Sequence, residues 1–165
     1  MNAIDLIRWA LQTTDAGTNA MVADMRDAAL IQPTARGGNH TLWALGHMAW
    51  VEAAVRHIVS GEPHALERWT SQFGTGTQPS SEAGRYPSFD EVLAAYRDGR
   101  VRTLKLLDDI GEAGLDLAPK NPPPPEFADA MKTRGRALML ITIHQMVHYG
   151  QIADARRAAG RKPLI

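Results

Sequence analysis

The sequence predicts an all-α protein, a four-helix bundle, and three observations lead there. Four stretches carry apolar residues at spacings of three and four, the period of a helix with one buried face. Strand signals are missing between them. The apolar residues are mainly Ala, Leu, Met and Ile, with only three Tyr and three Phe, a mix that favours helix over strand. At 165 residues the chain is long enough to bury a real core, and residues 1–165 are read as a single domain.

The first helix is predicted over residues 4–30, with Ile4, Ile7, Leu11, Met21, Met25 and Ala28 on its buried side. Thr13, Thr14 and Gly17 weaken its middle, and Pro33 ends it. Arg36-Gly37-Gly38-Asn39 is a turn, after which Asn39 or Thr41 caps the second helix. That helix runs to Ser60, where Gly61 and Pro63 stop it. Residues 61–87 are rich in Gly, Pro, Ser and Thr and read as a long connection, with a short helix at 65–71. Its Trp69, Phe73 and Tyr86 suit a segment that covers something apolar. Ser88-Phe89-Asp90-Glu91 fits a capping box for the third helix, which Gly111 and Gly114 terminate. Val92, Ala95, Tyr96, Leu104 and Leu107 are its core candidates. The run Pro122-Pro123-Pro124-Pro125 must be extended and makes a stiff connection. The fourth helix spans 132–159, with Gly160 as its stop.

Composition excludes several function classes. Eighteen Lys plus Arg balance eighteen Asp plus Glu, so no net field recruits nucleic acid or an anionic membrane. The small basic clusters, Lys132-Arg134-Arg136 and Arg156-Arg157-Arg161-Lys162, read as solvated helix ends. Without cysteine there is no disulfide, thiolate nucleophile or thiolate metal ligand. Asp5 and Arg8 interrupt the N-terminal apolar run, which is therefore no signal peptide. No apolar stretch approaches the roughly 20 residues of a membrane span. The expectation is a soluble, cytoplasmic protein with neither a membrane nor a nucleic acid as partner.

Six histidines carry the candidate chemistry, and His47, His144 and His148 stand apart from the rest. His144 and His148 are four residues apart, so both leave one helix face about one turn from each other, a spacing that can bind one ion. Gln145 follows His144, so the zinc-protease motif with its built-in Glu base is absent. Ala137, Leu140, Ile141, Val147 and Ala155 are assigned to the same side as that pair. Trp43, Ala44, Val51, Ala54 and Ile58 share the side that bears His47. Three imidazoles thus face the interior with few polar alternatives, Gln151 being the nearest, and a buried imidazole needs a hydrogen-bond partner or a metal. One divalent transition metal is expected; imidazoles suit Zn, Ni, Fe or Cu. His40, two turns before His47, is either a further ligand or a residue at the helix mouth, and His57 and His64 read as surface residues.

The stretch Leu42-Trp43-Ala44-Leu45-Gly46-His47-Met48-Ala49-Trp50-Val51-Glu52, followed downstream by His144-Gln145-Met146-Val147-His148-Tyr149-Gly150-Gln151-Ile152, resembles the DinB-like four-helix metalloproteins. The resemblance implies an up-down-down-up bundle with a long connection between its second and third helices, here residues 61–87. It implies a metal held by three histidines, mapping onto His47, His144 and His148, and a homodimer, for which exposed apolar residues such as Trp9 give some further support. Family members often carry a basic residue where this chain has Tyr149.

Some members of the family are thiol-dependent transferases or isomerases, so the resemblance also implies a small-molecule substrate and a low-molecular-weight thiol of the glutathione, mycothiol or bacillithiol type. Three neutral imidazoles would leave a dication with an open position that can accept a thiolate, carboxylate or hydroxide. No protein base is evident; Trp43, Tyr149 and Gln151 are candidates for orienting a substrate. The alternatives are a non-catalytic, stress-related metal-binding module and a metal-dependent hydrolase. The open position is expected at a bundle mouth lined by the start of the second helix and by Trp69, Phe73 and Tyr86.

Overall fold

The computed structural model describes residues 1–164 and contains five α-helices, with no strand among the described residues. They are α1 (Ala3–Val22), α2 (Thr41–Ser60), α3 (Thr70–Phe73), α4 (Phe89–Gly114) and α5 (Arg134–Ala158). Four are long; α3 is one turn within the connection between α2 and α4, where a short helix is expected.

Each long helix starts on a side chain that accepts from its first turn. Asn2 accepts from the Asp5 amide, Ser88 and Glu91 form the reciprocal capping box, and Thr133 accepts from the Arg136 amide. For α2 the cap is His40 rather than Asn39 or Thr41: its imidazole accepts from the Trp43 amide at 3.1 Å.

The first helix is shorter than expected, ending at Val22 and not near Leu30. A 3-10 turn at Arg26–Ala28 redirects the chain while Met25, Ala28 and Ala29 remain buried. The Leu42 amide then donates to the Ala29 carbonyl at 2.9 Å, tying this segment to the start of α2. An apolar period that survives a turn reads from sequence as uninterrupted helix. In α4 the break falls at Gly111, whose φ of 63° is the left-handed conformation that glycine adopts without strain. Pro124 is extended as expected, but Pro125 opens a 3-10 turn, Pro125–Phe127.

Pairwise contacts order the four long helices. Arg8 meets Asp108, Arg97 donates to Asn19 at 2.7 Å, and Arg26 pairs with Asp90 at 2.6 Å, so α1 and α4 run in opposite directions. Glu52 meets Arg100 and Arg56 meets Thr103, placing α2 alongside α4. Asn39 meets Gln151 and His47 meets His144, so α2 and α5 are antiparallel. Gln145 reaches Thr14 and Thr18 while Arg156 reaches Met21, which aligns α5 with α1.

The core has two apolar clusters. One surrounds Met48, Phe73, Tyr96 and Ile152; the other surrounds Leu11, Val59, Leu107 and Leu138. Trp69, Phe73 and Tyr86 belong to the first, so the long connection does cover the core. Ala95 and Leu104 are only partly buried. Between the clusters lies a buried polar layer. Arg100 pairs with Glu52 at 3.1 Å and donates to the Leu11 carbonyl at 2.6 Å and to the Gln145 amide oxygen. Gln145 donates in turn to the Thr14 carbonyl and the Thr18 hydroxyl. Arg156 is not a solvated helix end: it is buried and bound to Asp24 and the Met21 carbonyl. No described helix is long and apolar enough to cross a membrane.

Candidate metal centre

The antiparallel contact of α2 and α5 brings His47, His144 and His148 together, with one ring nitrogen from each lying within 4.8 Å of the others. His144 Nε2 is 3.1 Å from His47 Nε2 and 3.0 Å from His148 Nε2. The opposite nitrogens of two of these rings are engaged elsewhere. His47 Nδ1–H donates to the Phe73 carbonyl at 2.7 Å, and His148 Nδ1–H donates to the Gln151 side-chain oxygen at 2.7 Å. A carbonyl oxygen can only accept, so both protons sit on Nδ1 and both Nε2 atoms carry bare lone pairs. A single proton on His144 Nε2 can satisfy one of these two contacts, and a cation shared by the three nitrogens satisfies both. Nitrogens about 2.1 Å from a shared ion are about 3.0–3.4 Å apart, so the separations of 3.0 and 3.1 Å fit one ion.

Burial keeps the three rings neutral. It pushes His47 below the usual imidazole range. Burial, with His148 and His47 alongside, lowers His144 to about 3. Burial and His47 lower His148 to about 4. Trp43 stacks on His47 with ring centroids 4.8 Å apart and meets His148 edge-on at 6.0 Å, closing one side of the cluster. Neutral imidazoles held in one tautomer by an oxygen acceptor, as His47 and His148 are here, are a common arrangement around a bound metal.

Gly46, one residue before His47, explains how the Phe73 carbonyl reaches its place. A Cβ at Gly46 would come within 2.3–2.5 Å of the Phe73 ring. The missing side chain lets the connection settle on α2, with the aromatic ring over Gly46 and the carbonyl at His47. Gly46 was not picked out from sequence, although a glycine inside a helix normally costs stability and so signals a close approach.

Of the two readings of His40, the helix mouth holds: it caps α2, its Nδ1 accepts from the Trp43 amide and its Nε2–H donates to the Ser80 carbonyl at 2.9 Å, leaving no free lone pair for an ion. Other expectations need correction. His57 and His64 are half-buried rather than on the surface, and neither joins the cluster. Val147 is 59% exposed, because its position on α5 turns it away from α2. Gln151 orients His148 and accepts from Asn39 at 2.9 Å, so it supports the cluster itself. Tyr149 packs toward Gly17 of α1. Trp69, Phe73 and Tyr86 fill the core, and the cavity beside the cluster lies elsewhere, between α2, α5 and the segment that precedes α5. Sequence reading also missed the buried Glu52 and Gln145, since both partners, Arg100 and Thr18, lie far away in the chain.

The fold and site define a helical protein with an internal three-histidine cluster able to hold a metal ion. The DinB superfamily model matches residues 10–152, and the chain belongs to that superfamily. Comparison with curated proteins returned no match.

Proposed function

We propose that His47, His144 and His148 jointly bind one divalent transition-metal ion, zinc or nickel first among the candidates, and that the protein is a metal-dependent thiol S-transferase or isomerase. The observation that carries this reading is the convergence of the three Nε2 atoms, two of them with fixed lone pairs, at the edge of an apolar cavity. A bound ion supplies Lewis acidity and lowers the pKa of a thiol that joins it. His47 and His148 are held in the ligating tautomer by Phe73 and Gln151. Trp43 excludes water from one side. A low-molecular-weight thiol as co-substrate implies a reducing compartment, so this reading places the protein in the cytoplasm.

The pairwise helix directions support an up-down-down-up bundle in one domain, with residues 61–87 as its long crossing connection. A homodimer belongs to the same reading. Trp9 on α1 is 61% exposed, and Ile143, Met146 and Val147 on α5 are at least half exposed, an apolar surface that a second copy would cover. Sedimentation at about tens of micromolar should give a dimer; a monomer there contradicts it.

One observation favours a second reading, a non-catalytic metal-binding module. No carboxylate joins the histidine cluster among the described residues, and the nearby buried Glu52 is committed to Arg100. A hydrolase would use metal-bound hydroxide as its nucleophile, but no described side chain beside the cluster is placed to protonate a leaving group, so that reading is the weaker. The deciding experiment is a cobalt-substituted sample titrated with glutathione, mycothiol or bacillithiol. Sulfur-to-cobalt charge-transfer absorption is expected, together with thiol-dependent turnover of an electrophile. Stoichiometric cobalt whose spectrum no thiol alters would instead support the non-catalytic module.

A further inference from the structure

A cavity of about 210 Å³ opens beside His47 and His144, between α2 and α5. Ala54 and Ile58 of α2 and Leu140 of α5 line it, together with Phe127 and Pro124 from the segment before α5. The proline run thus contributes to the site: Pro124 lines the cavity, and Pro125 opens the 3-10 turn that carries Phe127.

The geometry points to an uncharged, apolar group as the occupant, one ring with a short substituent, attached to a head that reaches the ion. This rests on the metal-centre reading above and names the class of molecule the centre receives. Three observations carry it. No Lys, Arg, Asp or Glu lines the cavity among the described residues, so a carboxylate or ammonium entering it would lose hydration without gaining a counter-charge. The indole N–H of Trp50 is already spent on the Thr70 hydroxyl at 3.1 Å, leaving Thr75 and the two imidazoles as the polar features of the lining. Size matches as well, since an apolar cavity of about 150 Å³ admits benzene. A thiol bearing carboxylates must therefore keep its charged end outside this cavity, which is left to the electrophile's apolar part.

Binding to the zinc-loaded protein, followed by calorimetry, tests this with acetohydroxamic acid, phenylacetohydroxamic acid and its 4-carboxy derivative as probes. The phenyl compound should bind at least about tenfold more tightly than the methyl one, and the ring carboxylate should cancel that gain. Ala54→Phe, which fills the cavity, should bring the ratio near one while zinc stays at one per chain. Equal affinities for the methyl and phenyl probes, or undiminished binding of the carboxylated one, would overturn the inference. If zinc does not bind at all, the metal-centre reading fails, and the metal-free protein then decides about the cavity. Toluene should raise its melting temperature in the wild type and not in Ala54→Phe; no shift in the wild type would overturn the inference there too.

Discussion

At the level of single residues, two histidines of the cluster, His47 and His148, differ from His40 in what their second nitrogen does. His40 spends both nitrogens on backbone groups, one as a helix cap, whereas His47 and His148 spend Nδ1 on an oxygen and leave Nε2 bare. The four-residue spacing of His144 and His148 and the apolar side around His47 could be read from sequence, because both follow from helix periodicity. The roles of Phe73 and Gln151 could not, since the Phe73 contact depends on how a long loop settles. A pH dependence follows from the buried rings. Unfolded imidazoles titrate near 6.5, but His144 and His148 are held down to about 3 and about 4 in the folded protein. Between those limits the unfolded chain binds protons that the folded chain does not, so stability is full above about 6.5 and is lost as pH falls toward about 3. Metal-stripped protein should therefore melt at progressively lower temperature across that window, and His144→Gln should flatten the slope. A melting temperature independent of pH there would contradict the burial of neutral rings.

Among the elements, α2 and the connection behind it act as one unit. The cap at Ser88 and the glycine break in α4 were visible in sequence because each is a local signal, whereas the Thr133 cap of α5 was not singled out. The end of α1 was not, because the 3-10 turn keeps the same residues buried that a longer helix would bury. The contact of Phe73 with Gly46 was equally hidden, being 27 residues apart and sensitive to one absent side chain. Gly46→Ala should gain helix propensity yet lose stability overall, by about 1–2 kcal/mol, because the methyl group forces the Phe73 ring away. Metal affinity should fall with it, as the carbonyl leaves His47. Chemical denaturation and a metal titration measure the two effects. A Gly46→Ala variant more stable than wild type would show that the close approach does not hold.

For the whole molecule, the polar layer around Arg100 joins all four long helices at mid-height. Arg100 of α4 reaches Glu52 of α2, Gln145 of α5 and the Leu11 carbonyl of α1. The layer fixes the rotation of α5, because Gln145 can face inward only if His144 and His148, its neighbours, face α2. Sequence alone identified the all-helical fold and the inward side of the histidines but assigned the interior as almost wholly apolar, since partners spread over four helices leave no local pattern. Glu52→Ala leaves the Arg100 charge buried and unpaired, and should cost about 3–5 kcal/mol in urea unfolding. A loss below about 1 kcal/mol would mean that the layer is not closed to water.

The most direct test of the metal centre is a cobalt titration of untagged, metal-stripped protein, with His47→Ala, His144→Ala and His148→Ala beside it and circular dichroism to confirm that each variant is folded. Visible d–d absorption should saturate at one equivalent in the wild type, and each folded variant should bind at least about 100-fold more weakly. A wild type that takes up no cobalt, or a folded His47→Ala that binds it as tightly as the wild type, would contradict a centre built jointly from α2 and α5.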